Sequence, residues 1–152
     1  MKLLATLCLC LFATLANASG FQALDRATAR TLTALQTHRQ PTAVLLWSYD
    51  CPHCKKNMQH FAQLARQYPQ LTIISIAAEA SSPELLRRLE ATGLPGRRYA
   101  YGNESPDALA YAIDPDWHGE LPRTIVFDGK GGKTAFSGIE TPGKILQMLG
   151  LR

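Results

Sequence analysis

Two cysteines, three residues apart, stand where an apolar run gives way to an amphipathic stretch. Cys51-Pro52-His53-Cys54 follows Val44-Leu45-Leu46-Trp47 directly. A continuous apolar run from Thr42 to Ser48 reads as a strand buried on both faces. From Cys51 to Tyr68, the residues Cys54, Met58, Phe61, Ala62 and Ala65 fall on one helical face, and Pro69 stops the helix. Leu71 to Ala77 is a second buried strand. A strand, helix and strand in this order form a β-α-β unit with parallel strands and a right-handed crossover. The cysteine pair therefore belongs at the carboxyl end of a central strand, on the turn that opens a helix.

The flanking segments complete one α/β domain. Phe21 to Gln40 predicts a helix, with Leu24, Ala27, Thr31, Ala34 and Leu35 near helical spacing and Pro41 ending it. Pro83 starts a helix over residues 84–91, which Gly93 closes. Residues 94–120 are less regular, with a helix predicted from Pro106 to Ile113 and Ser105 as its cap. Arg123 to Asp128 and Lys133 to Ser137 read as a hairpin across Asp128-Gly129-Lys130-Gly131-Gly132. Pro142 to Leu149 is a terminal helix. The expected fold is a mixed central sheet flanked by helices, with a helical insertion before the Arg123 strand, in a single domain spanning residues 19–152.

The first 18 residues read as a secretory signal. Lys2 supplies the positive start, Leu3 to Leu15 is apolar apart from two threonines, and Ala16-Asn17-Ala18 offers a small-x-small cleavage site. A retained anchor is the alternative, but a spanning helix needs about 20 apolar residues. Cleavage after Ala18 removes Cys8 and Cys10 and leaves Cys51 and Cys54 as the only cysteines. Export to the periplasm is expected, where disulfides form and persist. The formal net charge of +4 is mild, and the basic residues are scattered apart from Arg87-Arg88 and Arg97-Arg98, which read as solvated faces. No nucleic-acid partner is expected from such a distribution.

Placement alone makes the two cysteines unequal. Pro52 suits the first helical position and puts Cys51 at the N-cap, where backbone N–H groups and the helix dipole favour a thiolate. Cys54 begins the apolar face and is expected to be buried. Cys51 is thus the expected attacking thiol and Cys54 the resolving one. His53 can stabilise the Cys51 thiolate further, with Lys55 and Lys56 adding positive potential; Asp50 opposes it where its carboxylate lies beside the sulfur and not where it points outward, and the sequence leaves that open. A stabilised thiolate favours the reduced form and makes the disulfide a stronger oxidant.

Leu46-Trp47-Ser48-x-x-Cys51-x-x-Cys54-Lys55 resembles the active-site segment of the thioredoxin superfamily. Glu120-Leu121-Pro122-Arg123-Thr124-Ile125-Val126-Phe127-Asp128-Gly129 resembles its second signature, a cis-proline before a strand that ends in Asp-Gly. The resemblance implies a cis Leu121–Pro122 bond opposite the dithiol, with Leu121 and Pro122 binding substrate backbone. The Pro-His dipeptide is that of DsbA disulfide oxidases. The short span from Cys54 to Pro122 and the Trp117-x-Gly119-x-Leu121-Pro122 segment are closer to TlpA/ResA-like exported redoxins, often reductants. Leu45 departs from the buried acid many thioredoxins carry at that position.

The implied activity is thiol-disulfide exchange with cysteine-containing exported proteins, without a cofactor, recycled by a membrane or periplasmic redox partner. Oxidase and reductase both remain open. In another class, Cys51, Cys54 and His53 could hold Cu(I), as soft thiolates do. A purely structural disulfide is the plain alternative, although so short a loop constrains the unfolded chain little. Glu79, at a strand end, reads as a proton acceptor or an ordinary loop acid.

Overall fold

The computed structural model describes residues 20–152. The expected signal segment and its cleavage site lie outside the described residues. Six strands form one sheet: β1 (Gln22–Leu24), β2 (Thr42–Trp47), β3 (Thr72–Ala80), β4 (Arg97–Tyr101), β5 (Arg123–Phe127) and β6 (Lys133–Ser137). Five helices accompany them: α1 (Arg26–Thr33), α2 (Cys54–Gln67), α3 (Pro83–Glu90), α4 (Pro106–Ile113) and α5 (Pro142–Met148). The strand order is β1-β4-β3-β2-β5-β6. The first four are parallel; β5 runs against β2, and β6 against β5. This is a mixed sheet with β2 and β3 at its centre.

The residues of β2 show why its apolar run is unbroken. Ala43, Leu45 and Trp47 enter one core layer, and Val44 and Leu46 the other. All five are fully buried, each large side chain contributing about 1.5–3 kcal/mol by leaving water. The first layer takes Met58, Phe61 and Ala62 from α2, Leu85 and Leu89 from α3, and Ile145 from α5. The second takes Leu32 from α1 and Leu109 and Ile113 from α4. Four of the five helices begin on a side-chain cap: Asp25, Ser82, Ser105 and Thr141 each accept an N–H from the first turn. Helix α2 has no side-chain cap.

Two predicted elements differ. The single helix expected over residues 21–40 is instead β1, α1 and a 3-10 turn at Leu35–Thr37. Phe21 and Leu24 enter opposite core layers, which three residues of extended chain achieve and one helical face does not. Asp25 then caps the helix by accepting from the Thr28 N–H. Strand β4 was hidden because Arg97 and Arg98 break its apolar run, and only Tyr99, Ala100 and Tyr101 are buried. The insertion before β5 therefore holds β4 as well as α4, and β4 lies between β3 and β1.

Tyr101 carries a pH dependence. Burial, with Asp107 adding to it, pushes its phenol up to about 12. Unfolded tyrosine ionises near pH 10, so the contribution is intact below pH 10. It is lost as pH rises toward about 12, because the unfolded state ionises first. Ultraviolet titration of tyrosinate alongside thermal unfolding checks this; Tyr101→Phe is expected to flatten the alkaline loss.

Candidate active site

Cys51 and Cys54 are joined in a disulfide at the carboxyl end of β2, with their Cα atoms 5.4 Å apart. Cys51 is half-buried and Cys54 is only 1% exposed. The pair is thus one half-buried and one buried cysteine, and the burial of Cys54 is as expected from its place at the start of the apolar face. The cap is displaced from its expected place. Cys54 N–H donates to the Cys51 carbonyl at 3.3 Å, closing a turn, and the regular ladder starts with Asn57 N–H donating to His53 at 3.1 Å. His53, not Cys51, occupies the cap position, and Pro52 lies in the preceding turn rather than at the first helical position. The physical reason is that the Cys51 carbonyl is already taken three residues on. His53 is exposed, as are Pro52, Lys55 and Lys56.

The loop between β2 and the disulfide is held from β3 and α3. The Tyr49 N–H donates to Glu79 Oε1, so Glu79 is a loop anchor rather than a free acid. Arg88 Nη2 donates to the Tyr49 carbonyl at 3.0 Å, and its guanidinium lies 4.2 Å from the centre of the Tyr49 ring. Arg88 is therefore half-buried against this loop, not part of a solvated basic face. Tyr49 remains 41% exposed beside the disulfide.

The Leu121–Pro122 bond is cis. Register puts this segment at the same end of the sheet as the cysteines: Leu46, one residue before the end of β2, pairs with Arg123. Leu121 is half-buried and packs against both core layers, and Cys51 packs against the first. Leu121 precedes the β5 ladder, and among the described residues its backbone groups take no partner in the loop hydrogen bonds. The approach to it is braced on both sides. Trp117 Nε1 donates to the Glu120 carbonyl at 2.8 Å. Arg123 donates from Nε and Nη2 to Asp114 Oδ2 at 3.1 and 2.8 Å, and from Nη1 to Ser137 Oγ at 3.1 Å. Asp114→Ala is expected to cost about 3 kcal/mol, the lower end for breaking a buried ion pair, because Arg123 keeps Ser137. Chemical denaturation checks it.

Three residues after Cys54, the buried face of α2 carries one polar residue that the sequence reading passes over. Asn57 is 1% exposed, and its Nδ2 donates to Thr124 Oγ1 on β5 at 3.2 Å. The readable signal was an asparagine inside an apolar stripe. The Asp114–Arg123 pair had no such signal, since nothing local joins those positions. Among the described residues no group of three or more His, Cys, Asp or Glu side chains is arranged to hold a metal ion.

Register thus brings the disulfide and the cis Leu121–Pro122 bond to the same end of the sheet, and the arrangement of strands and helices is similar to that of solved structures. The fold is that of thioredoxin. A secreted Mycobacterium tuberculosis disulfide oxidoreductase homologous to Escherichia coli DsbE superposes with a TM-score of 0.61 at 15% identity, covering 74% of this chain and 82% of that one. A thiol:disulfide interchange protein of the thioredoxin family from Chlorobium tepidum gives 0.58 at 15%, covering 84% and 83%. StoA from Bacillus subtilis gives 0.53 at 16%, covering 73% and 83%. No family model and no curated protein sequence matches the chain.

Proposed function

We propose that this thioredoxin-fold chain is an exported thiol-disulfide oxidoreductase working through Cys51 and Cys54. The unequal exposure of the two bonded cysteines carries this reading. A substrate thiolate attacks the Cys51 sulfur, and Cys54 leaves as a thiolate that takes up a proton. A second substrate thiol, deprotonated, then attacks the mixed disulfide at the substrate's sulfur. A substrate disulfide forms, and Cys51 leaves as the favoured thiolate. Two electrons pass to the protein. The reverse sequence reduces a substrate disulfide. Leu121 offers an open backbone edge for the substrate segment, as in other edge recognition.

The charge around α2 favours the oxidising direction. Its first turn has no acid, and His53, Lys55 and Lys56 surround it. Positive potential there stabilises the Cys51 thiolate and with it the reduced protein. The substrates are cysteine-containing exported proteins, and a membrane or periplasmic partner reoxidises the pair. The secreted disulfide oxidoreductase from Mycobacterium tuberculosis supports this setting.

The purified disulfide form, mixed with a dithiol peptide, is expected to yield one peptide disulfide per protein dithiol. Failure to exchange overturns the assignment. His53→Gln is expected to raise the Cys51 pKa and make the pair less oxidising, by about tenfold in the equilibrium constant with glutathione. Thiolate absorbance followed against pH reads the first quantity.

A further inference from the structure

We propose that Asn57 is the positioning residue of the buried cysteine, its Oδ1 accepting the Cys54 S–H once the disulfide opens. The inference rests on the exchange activity proposed above. Cys54 and Asn57 are three residues apart on α2, so their side chains are neighbours on one helix face. Each is 1% exposed. The Asn57 carboxamide is fixed on the sheet by its 3.2 Å bond to Thr124. Thr124 pairs across the strands with Leu45, which lies in the core layer that holds Cys54. While the disulfide is closed, Asn57 Oδ1 is buried without a hydrogen-bond partner among the described residues.

A disulfide sulfur has no proton to give, whereas a thiol is a weak donor and a carboxamide oxygen accepts. Reduction by glutathione consumes the protein disulfide and two glutathione thiols, and yields the protein dithiol and glutathione disulfide. Two electrons and two protons reach the protein, and one proton ends on Cys54. The acceptor is thus orphaned in the disulfide form and satisfied in the dithiol form. Asn57 therefore tilts the pair toward the dithiol, which makes the disulfide the stronger oxidant. Among the described residues the other buried polar side-chain atoms without partners are Trp47 Nε1, Arg88 Nε, Ser75 Oγ and His60 Nδ1; His60 is six residues from Cys54 along α2 and so off its face. The indole nitrogen is a donor and cannot accept the thiol proton. Ser75 pairs with Leu45 from β3, on the far side from Thr124.

The test is the equilibrium of the purified protein with glutathione. Asn57→Leu is expected to shift the constant about tenfold toward the disulfide, roughly 30 mV more reducing. It is also expected to lower the melting temperature of the dithiol form more than that of the disulfide form. Should the leucine variant fail to fold, Asn57→Ala is read in its place. Thr124→Val removes the tie but leaves the acceptor; it is expected to weaken both redox forms alike and keep the constant within about twofold. An unchanged constant in the Asn57 variant, or an equal shift in Thr124→Val, overturns the proposal while exchange itself stands. A wild-type protein that never equilibrates with glutathione overturns the exchange activity and this proposal together.

Discussion

Cys54→Ala is expected to accumulate stable mixed disulfides through Cys51, with turnover reduced by orders of magnitude. The cause is access. Cys51 is half-buried at the loop end and Cys54 is 1% exposed beneath it. An incoming thiolate is therefore expected to meet the Cys51 sulfur, and Cys54, one turn along, is expected to release the adduct. Without it the adduct waits for an external thiol. Cys51→Ala, by contrast, is expected to form no adducts and no turnover. Non-reducing electrophoresis with mass spectrometry of captured partners distinguishes the two. Adducts accumulating on Cys54 in Cys51→Ala would reverse the roles.

Gly96→Ala is expected to be the most destabilising single-methyl addition in the domain. Gly96 has φ +97°, and a Cβ there would lie 2.1 Å from the Ile73 carbonyl oxygen, a backbone atom of the central β3 region that cannot swing aside. The left-handed conformation alone costs about 1–3 kcal/mol, and the clash forces β4 away from β3. A total loss of about 4 kcal/mol is expected, in the range reserved for such strain, or a fall in melting temperature on the order of 10 °C. Gly131, at φ +107° with nothing near its added Cβ, is the control. Its alanine variant is expected to show only the conformational part.

Much of this fold was legible because its strongest patterns are local. The run Val44–Trp47, the stripe from Cys54 to Ala65, and the Ser105-Pro106 and Asp128-Gly129 punctuation each act within a few residues. What stayed hidden depends on distant partners. Strand β4 is a strand because β3 and β1 take it between them, not because Arg97-Arg98-Tyr99 alternates. The segment beginning at Phe21 extends because β4 offers an edge. The same holds at the site. The cysteines, and the proline before β5, were visible as short signatures. Glu79 and Arg88 acquire their meaning only from Tyr49, 30 and 39 residues away in sequence. Asn57 acquires its own from Thr124, 67 residues on.

The uncapped start of α2 has a consequence for how the domain divides its resources between durability and chemistry. Its four companions each secure their opening turn with an internal oxygen, an arrangement worth about 1 kcal/mol apiece. At α2 the corresponding position is His53, whose side chain forms no such bond. His53 has helical backbone angles, φ −91° and ψ −15°, unlike the residues that cap the other helices, so its side chain does not reach back to the first-turn amides. Among the described residues the domain thus forgoes a routine stabilisation at one α-helix of five, the one whose amino end carries the disulfide.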